Sequence, residues 1–217
     1  MRSGANTYMP RLADSELATR LARASTVLIE GPKACGKTAT AKQIARSEVC
    51  FDVDANARLA ASIDPQALLE GETPRLFDEW QVVPEIWNHV RRASDQRSGR
   101  GKYILTGSAA PTDDIARHSG AGRISRLRMR TMSLFEQGHA NGKISLGSLL
   151  SEEAVSAGEP GLTVSDIVEL ICRGGWPGTI GDSLDEAMGF VRDYIEPDPR
   201  DGCGASRQRN SHGSKIR

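Results

Sequence analysis

Gly31, Gly36, Lys37 and Thr38 stand in the spacing GxxxxGKT within LIEGPKACGKT, and Asp78 and Glu79 stand side by side further along, in RLFDEWQ. The first group suits a phosphate. Glycines at the two ends of a tight loop let the backbone turn so that several N–H groups converge on one anion. The helix that opens at Lys37 and Thr38 adds unpaired donors and a positive dipole end; Lys37 reaches β- and γ-phosphates and the Thr38 hydroxyl holds Mg²⁺. Pro32, Lys33, Ala34 and Cys35 complete the candidate nucleotide-binding segment. Adjacent acids that close a buried strand are costly unless they are used. Beside bound nucleotide both have work: Asp78 anchors the metal opposite Thr38, and Glu79 orients and deprotonates the attacking water. Acids at strand ends are common, so the pair gains weight only from following a matching loop.

Two further constellations attach to that pair. YILTGS ends a third apolar run in Thr106, Gly107 and Ser108. In an open parallel sheet ligands lie outside the carboxyl ends of the strands, so Thr106 or Ser108 is the candidate sensor of the γ-phosphate and water, against a reading as ordinary turn hydroxyls. In RHSGAGRISRLRMR the glycines make a turned loop, and Arg123 is the candidate charge-stabilising finger, with Arg117 its rival and a surface arginine the plain alternative. Arg126, Arg128 and Arg130 alternate with Leu127 and Met129. A strand would present those guanidinium groups on one face, either as a protected sheet edge or as a surface for phosphate backbones or an acidic partner. Cys35 reads as a small loop filler, with a second reading as a thiol whose pKa the helix N-terminus lowers and whose alkylation blocks the site.

The elements that must position these groups follow from periodicity. A short helix with Leu12, Leu17 and Leu21 precedes the strand at 26–30; residues 39–47 continue the loop as a helix and 48–53 as a second strand. Residues 55–71 read as partly helical, 75–77 as the strand before Asp78, 84–97 as a helix with Ile86, Trp87 and Val90 on its apolar face, and 103–105 as a strand. A Gly/Ser/Glu-rich stretch is followed by a capped helix at 163–173, stopped by GGWPG, and by another at 184–195. The expected organisation is an arm at 1–11, an α/β domain at 12–136, a linker region at 137–162, a small helical segment at 163–195 and a disordered tail at 196–217. Helices running straight into such a tail predict a chain cut short or shifted in frame.

The 217 residues carry a formal net charge of zero, which argues against whole-molecule attraction to nucleic acid or anionic membrane. No apolar run approaches the roughly 20 residues of a membrane span, and no signal-peptide pattern opens the chain, so a cytoplasmic protein is expected. Cys35, Cys50, Cys172 and Cys203 show no metal-ligand spacing and fit a reducing compartment.

Taken together, YMPRLAD, LIEGPKACGKT, RLFDEWQ, YILTGS, HSGAGRISRLRMRTMSLFE and ICRGGWPG resemble the prokaryotic AAA-type P-loop ATPases whose C-terminal half is a restriction-endonuclease-like domain of unknown function. The resemblance covers roughly residues 8–194. It implies that residues 31–38 match the phosphate loop, Asp78 and Glu79 the metal and base acids, and 106–108 the sensing strand end. Such proteins usually continue for about as many residues again, and only the junction is present here.

The expected fold is therefore a three-layer P-loop NTPase with a mostly parallel sheet, followed by a partial helical domain. The expected function is an Mg²⁺-dependent ATPase that couples turnover to a conformational change in a protein partner, a second copy or an appended domain. A nucleotide-binding regulatory module that does not hydrolyse is the alternative. A small-molecule kinase fits less well, because the Asp-Glu pair suits hydrolysis. No NKxD-type segment reads guanine, so ATP rather than GTP is expected. Tyr8 to Arg11 could cover the adenine, or form part of a flexible arm.

Overall fold

The computed structural model describes residues 8–96, 99–108, 123–151, 158 and 161–196. TVLIE, RLFD and YILTG each carry adjacent apolar residues, Val27–Leu28–Ile29, Leu76–Phe77 and Tyr103–Ile104–Leu105, the pattern of strands covered on both faces. They form β1 (Thr26–Glu30), β3 (Arg75–Asp78) and β4 (Tyr103–Gly107), joined by β2 (Ser47–Cys50) and β5 (Ile124–Arg128). The five strands make one sheet in the order β2-β3-β4-β1-β5, with every pair parallel.

Alternate side chains of each strand serve different helices. Val27, Ile29, Leu76, Ile104 and Leu127 pack in one core with Leu17 and Leu21 of α1 (Leu12–Leu21) and Ala41 of α2 (Lys37–Lys42). Leu28, Phe77, Tyr103 and Leu105 pack in the other with Ala57 and Ala61 of α3 (Ala55–Ile63) and with Ile86, Trp87 and Val90 of α4 (Glu85–Gln96). The result is the expected three-layer α/β architecture, with the sheet parallel throughout its described length.

Three boundaries differ from the sequence reading, each for a local reason. The helix after the loop opens at Lys37 as expected, directly after left-handed Gly36 (φ 99°), but ends at Lys42 rather than 47. The chain then turns so that Arg46 can donate to the Pro74 carbonyl and enter the sheet. β2 stops at Cys50 because Asp54 caps α3, accepting from the N–H groups of Asn56 and Ala57. β4 runs on to Gly107 because it lies between β1 and β3 and is paired on both edges.

After β5 come α5 (Leu146–Leu150), α6 (Val164–Arg173) and α7 (Leu184–Ile195). The cap expected on α6 is a capping box of Thr163 and Asp166, and Ser183 with Glu186 repeats it on α7. Trp176 of the GGWPG turn packs on Phe190 and Tyr194 of α7, with ring centroids 5.8 and 4.5 Å away. Gly175 accepts from Met132 N–H at 2.6 Å, and a Cβ there would fall 2.0 Å from the Met132 carbonyl oxygen. Residues 1–7 of the expected arm, and the expected tail apart from Glu196, lie outside the described residues.

Candidate nucleotide site

The parallel sheet delivers β1, β3 and β4 to one edge with their carboxyl ends together, and the register aligns Ile29 with Thr106 and Thr106 with Asp78. From that edge residues 31–36 turn back into α2. Gly31 is demanded by close packing: a Cβ would fall 2.4 Å from the Met129 carbonyl oxygen, where the chain leaving β5 donates to Glu30. Ala34 is left-handed at φ 62°, a conformation that costs energy outside glycine and that the loop imposes.

Lys37 is only 5% exposed, and its ammonium donates to the carbonyls of Gly31 (3.0 Å) and Pro32 (2.7 Å) and to the Ser108 hydroxyl (3.4 Å). Among the described residues it has no carboxylate partner. A buried cation held only by neutral oxygens is costly, and an anion beside it would lower that cost. Asp78, also buried, accepts from Thr38 Oγ1 at 2.7 Å and from Thr106 Oγ1 through the same carboxylate oxygen, Oδ1. Glu79 follows in a left-handed turn (φ 52°, ψ 47°) and accepts a hydrogen bond from Gln81. Lys37, Thr38, Asp78, Glu79, Thr106 and Ser108 are thus brought to one edge.

Arg123 is not. It precedes the first residue of β5, at the amino-terminal edge of the sheet, and pairs with Asp95 of α4. A strand's length, roughly 13 Å, separates that edge from the loop, so Arg123 does not reach the site of its own chain. Arg117, the rival, lies outside the described residues. Arg126 and Arg128 lie exposed on the edge strand β5, Arg126 with Glu30 as partner at 3.3 Å, in agreement with the protected-edge reading. The lowered-pKa reading of Cys35 is overturned: burial pushes the thiol up, outweighing the opposing charges of Lys37 and Arg11.

Sequence reasoning passed over the groups that brace the loop. Arg11 is buried, with Nη1 on the Cys35 carbonyl (2.7 Å), Nη2 on the Arg130 carbonyl (2.8 Å) and Nε on Glu136 (2.9 Å). Tyr8 donates to Asp14 at 2.5 Å and meets the Thr40 hydroxyl at 3.0 Å; burial and the Asp14 bond push its phenol up to about 12. The end of the expected arm is therefore fastened to α1 and α2. An arginine directly after Pro10, in an otherwise apolar approach to a helix, was the available signal. Tyr8, Met9 and Arg11, with Gly36, Met132 and Pro177, line a cavity of about 330 Å³ beside the loop.

The family model for the AAA domain matches residues 23–137. Uncharacterised proteins of Mycobacterium bovis and Mycobacterium tuberculosis are each 28% identical over 132 residues, covering 59% of this chain and 30% of the relative. The chain thus spans about a third of the length of these curated relatives. Among solved structures, domain III of the Thermotoga maritima replication initiation protein DnaA aligns with 88% of this chain and 95% of its own, at 14% identity and a TM-score of 0.41. Among the described residues no helix is long and apolar enough to cross a membrane.

Proposed function

The chain belongs to the AAA domain family and has the α/β fold of a P-loop NTPase, and from that premise we propose that it binds ATP and, with Mg²⁺, hydrolyses it to ADP and phosphate. The buried Lys37 ammonium with only carbonyl and hydroxyl partners carries the reading, because phosphate oxygens supply the charge it lacks. The N–H groups of the loop and of the first turn of α2 bind the remaining phosphate oxygens. Thr38 and Asp78, already in contact, fit a metal site, and Mg²⁺ there supplies charge neutralisation at the β- and γ-phosphates.

Glu79 is the base: it orients water for attack on the γ-phosphorus and takes its proton. Thr106 and Ser108, one on Asp78 and one on Lys37, report the arrival of the γ-phosphate through the end of β4. The adenine occupies the cavity of about 330 Å³ beside Gly36, between Tyr8 and Pro177. That placement connects the nucleotide to the GGWPG turn, and so to α7 through Trp176. Turnover is thereby coupled to movement of that segment, or of a domain or partner attached to it. Arg123 could act as a finger only on a second copy of the chain.

Steady-state ATP hydrolysis with Mg²⁺, run beside Glu79→Gln and Lys37→Ala, tests the proposal. Glu79→Gln is expected to bind ATP and to lose about 10²–10³-fold in kcat, and Lys37→Ala to lose binding. Wild-type turnover in Glu79→Gln would remove the base assignment. ATP bound without turnover by the unaltered chain would assign a non-hydrolysing nucleotide-binding module instead.

A further inference from the structure

The segment after β3 carries features that nucleotide binding alone does not require. Glu79 is held in the left-handed region, at φ 52°. Two residues on, the Gln81 side chain donates from Nε2 to Glu79 Oε2, while its own Oε1 is buried without a partner. A buried amide oxygen that has left water and found no donor is costly. Turning the amide over would not relieve it, since Oε1 would then face the carboxylate. The orientation of Gln81 is therefore dictated by Glu79.

The seat of that amide is Gly107. A Cβ there would fall 2.3 Å from Gln81 Oε1 and 2.9 Å from Trp80 Nε1, so a side chain at 107 would displace the Gln81 amide from this seat. Gly107 stands between Thr106, bonded to Asp78, and Ser108, in contact with Lys37. Gln81 thus bridges the phosphate-sensing end of β4 and the acid that follows β3.

We infer that Gln81 is the positioning residue of Glu79, fixing one carboxylate oxygen so that the other meets the attacking water, and tying that orientation to the end of β4. This rests on the hydrolytic reading above. Gln81 touches neither nucleotide nor water; it acts through Glu79.

The test is ATP turnover by the whole chain with Gln81→Met, which keeps the packing volume and removes the donor, with Glu79→Gln, and with the double variant. Gln81→Met is expected to lower kcat about 10–100-fold with KM for ATP within about twofold of wild type. The double variant is expected to be no slower than Glu79→Gln alone, because a residue acting through Glu79 has nothing left to position. Unchanged kcat in Gln81→Met, with Glu79→Gln inactive, overturns the inference and leaves the ATPase reading intact. An equal further loss in the Glu79→Gln background marks a merely structural effect and overturns it as well. Wild-type turnover in Glu79→Gln, or none in the unaltered chain, brings down the hydrolytic reading and this inference with it.

Discussion

Val27, Leu28 and Ile29 of β1 are fully buried, whereas Val164 and Ile171 on the apolar stripe of α6 are 78% and 74% exposed. Both segments obey their local rules: β1 has an unbroken apolar centre, Val27–Leu28–Ile29, and α6 has a capping box and a stripe at helical spacing. The difference lies in what surrounds them. β1 is paired on both edges and covered on both faces, so its site-bearing end is fixed from four sides. α6 packs against α7 and buries none of its residues. Periodicity decides that an element forms; only partners distant in the chain decide that it is held. The phosphate loop, at the end of β1, inherits the rigidity of the held region.

The sharpest way to break this contrast is to remove a brace of the held region. Arg11 and Glu136 form an ion pair whose side chains are 5% and 7% exposed, and Arg11 also holds the Cys35 carbonyl in the loop and the Arg130 carbonyl after β5. Arg11→Ala leaves a buried carboxylate without its cation, and is expected to cost about 3–5 kcal/mol. Urea unfolding monitored by circular dichroism measures it, and ATP affinity is expected to fall with it. A loss under about 1 kcal/mol, within the usual range for exposed positions, would mean that the loop stands without this brace.

A smaller effect is expected when only the charge of Glu136 is removed, and it carries a pH signature. Burial by itself would raise this carboxyl, but the N–H groups of Ser133 and Leu12, the Ser133 hydroxyl and Arg11 outweigh it and hold it below its ordinary value of 4.5. A carboxylate with a depressed folded pKa contributes stability in full above its unfolded pKa, and that contribution is lost as pH falls through the folded value. Wild type is therefore expected to exceed Glu136→Gln by about 1.5–3 kcal/mol near pH 7, the gap closing below pH 4.5. Chemical unfolding at pH 7, 5 and 3.5 measures it; a gap that stays constant would show that the carboxylate charge is not what braces the segment.

What the sequence disclosed divides along the same line. The phosphate loop, the Asp78 strand end, the Thr106 strand end and the buried face of α4 were legible, because each is written in contiguous residues whose type and spacing carry their own physical reason. The bracing contacts of Arg11, Glu136 and Tyr8 were not, because their partners lie across the fold: Glu136 stands 125 residues from Arg11, and Thr40 stands 32 from Tyr8. The placing of Arg123 in its own chain's site failed for another reason. A residue beside a strand can lie at either end of the sheet, and only the register of β5 on β1 shows that this one lies at the end opposite the loop. Gln81 was printed within RLFDEWQ, yet its significance depends on Gly107, a strand away.

The smallest expected effect falls on α6 and bears on what the weakly held region is for. Ile171→Ser places a polar group where the side chain already meets water. Isoleucine and serine differ little in helix propensity, so thermal unfolding of the chain is expected to change by no more than about 0.5 kcal/mol. The same substitution on the covered face of α4, where Val90 is fully buried, would cost several times as much. If Ile171→Ser instead destabilises the protein by 1 kcal/mol or more, the stripe is covered in solution, and sedimentation velocity on both proteins identifies the cover. A larger species that the substitution dissolves would make α6 a contact between copies, and would bring a second chain's Arg123 into consideration for the nucleotide site. A monomer with an unmoved unfolding curve would leave the stripe open, and the contrast between the two regions would stand as drawn.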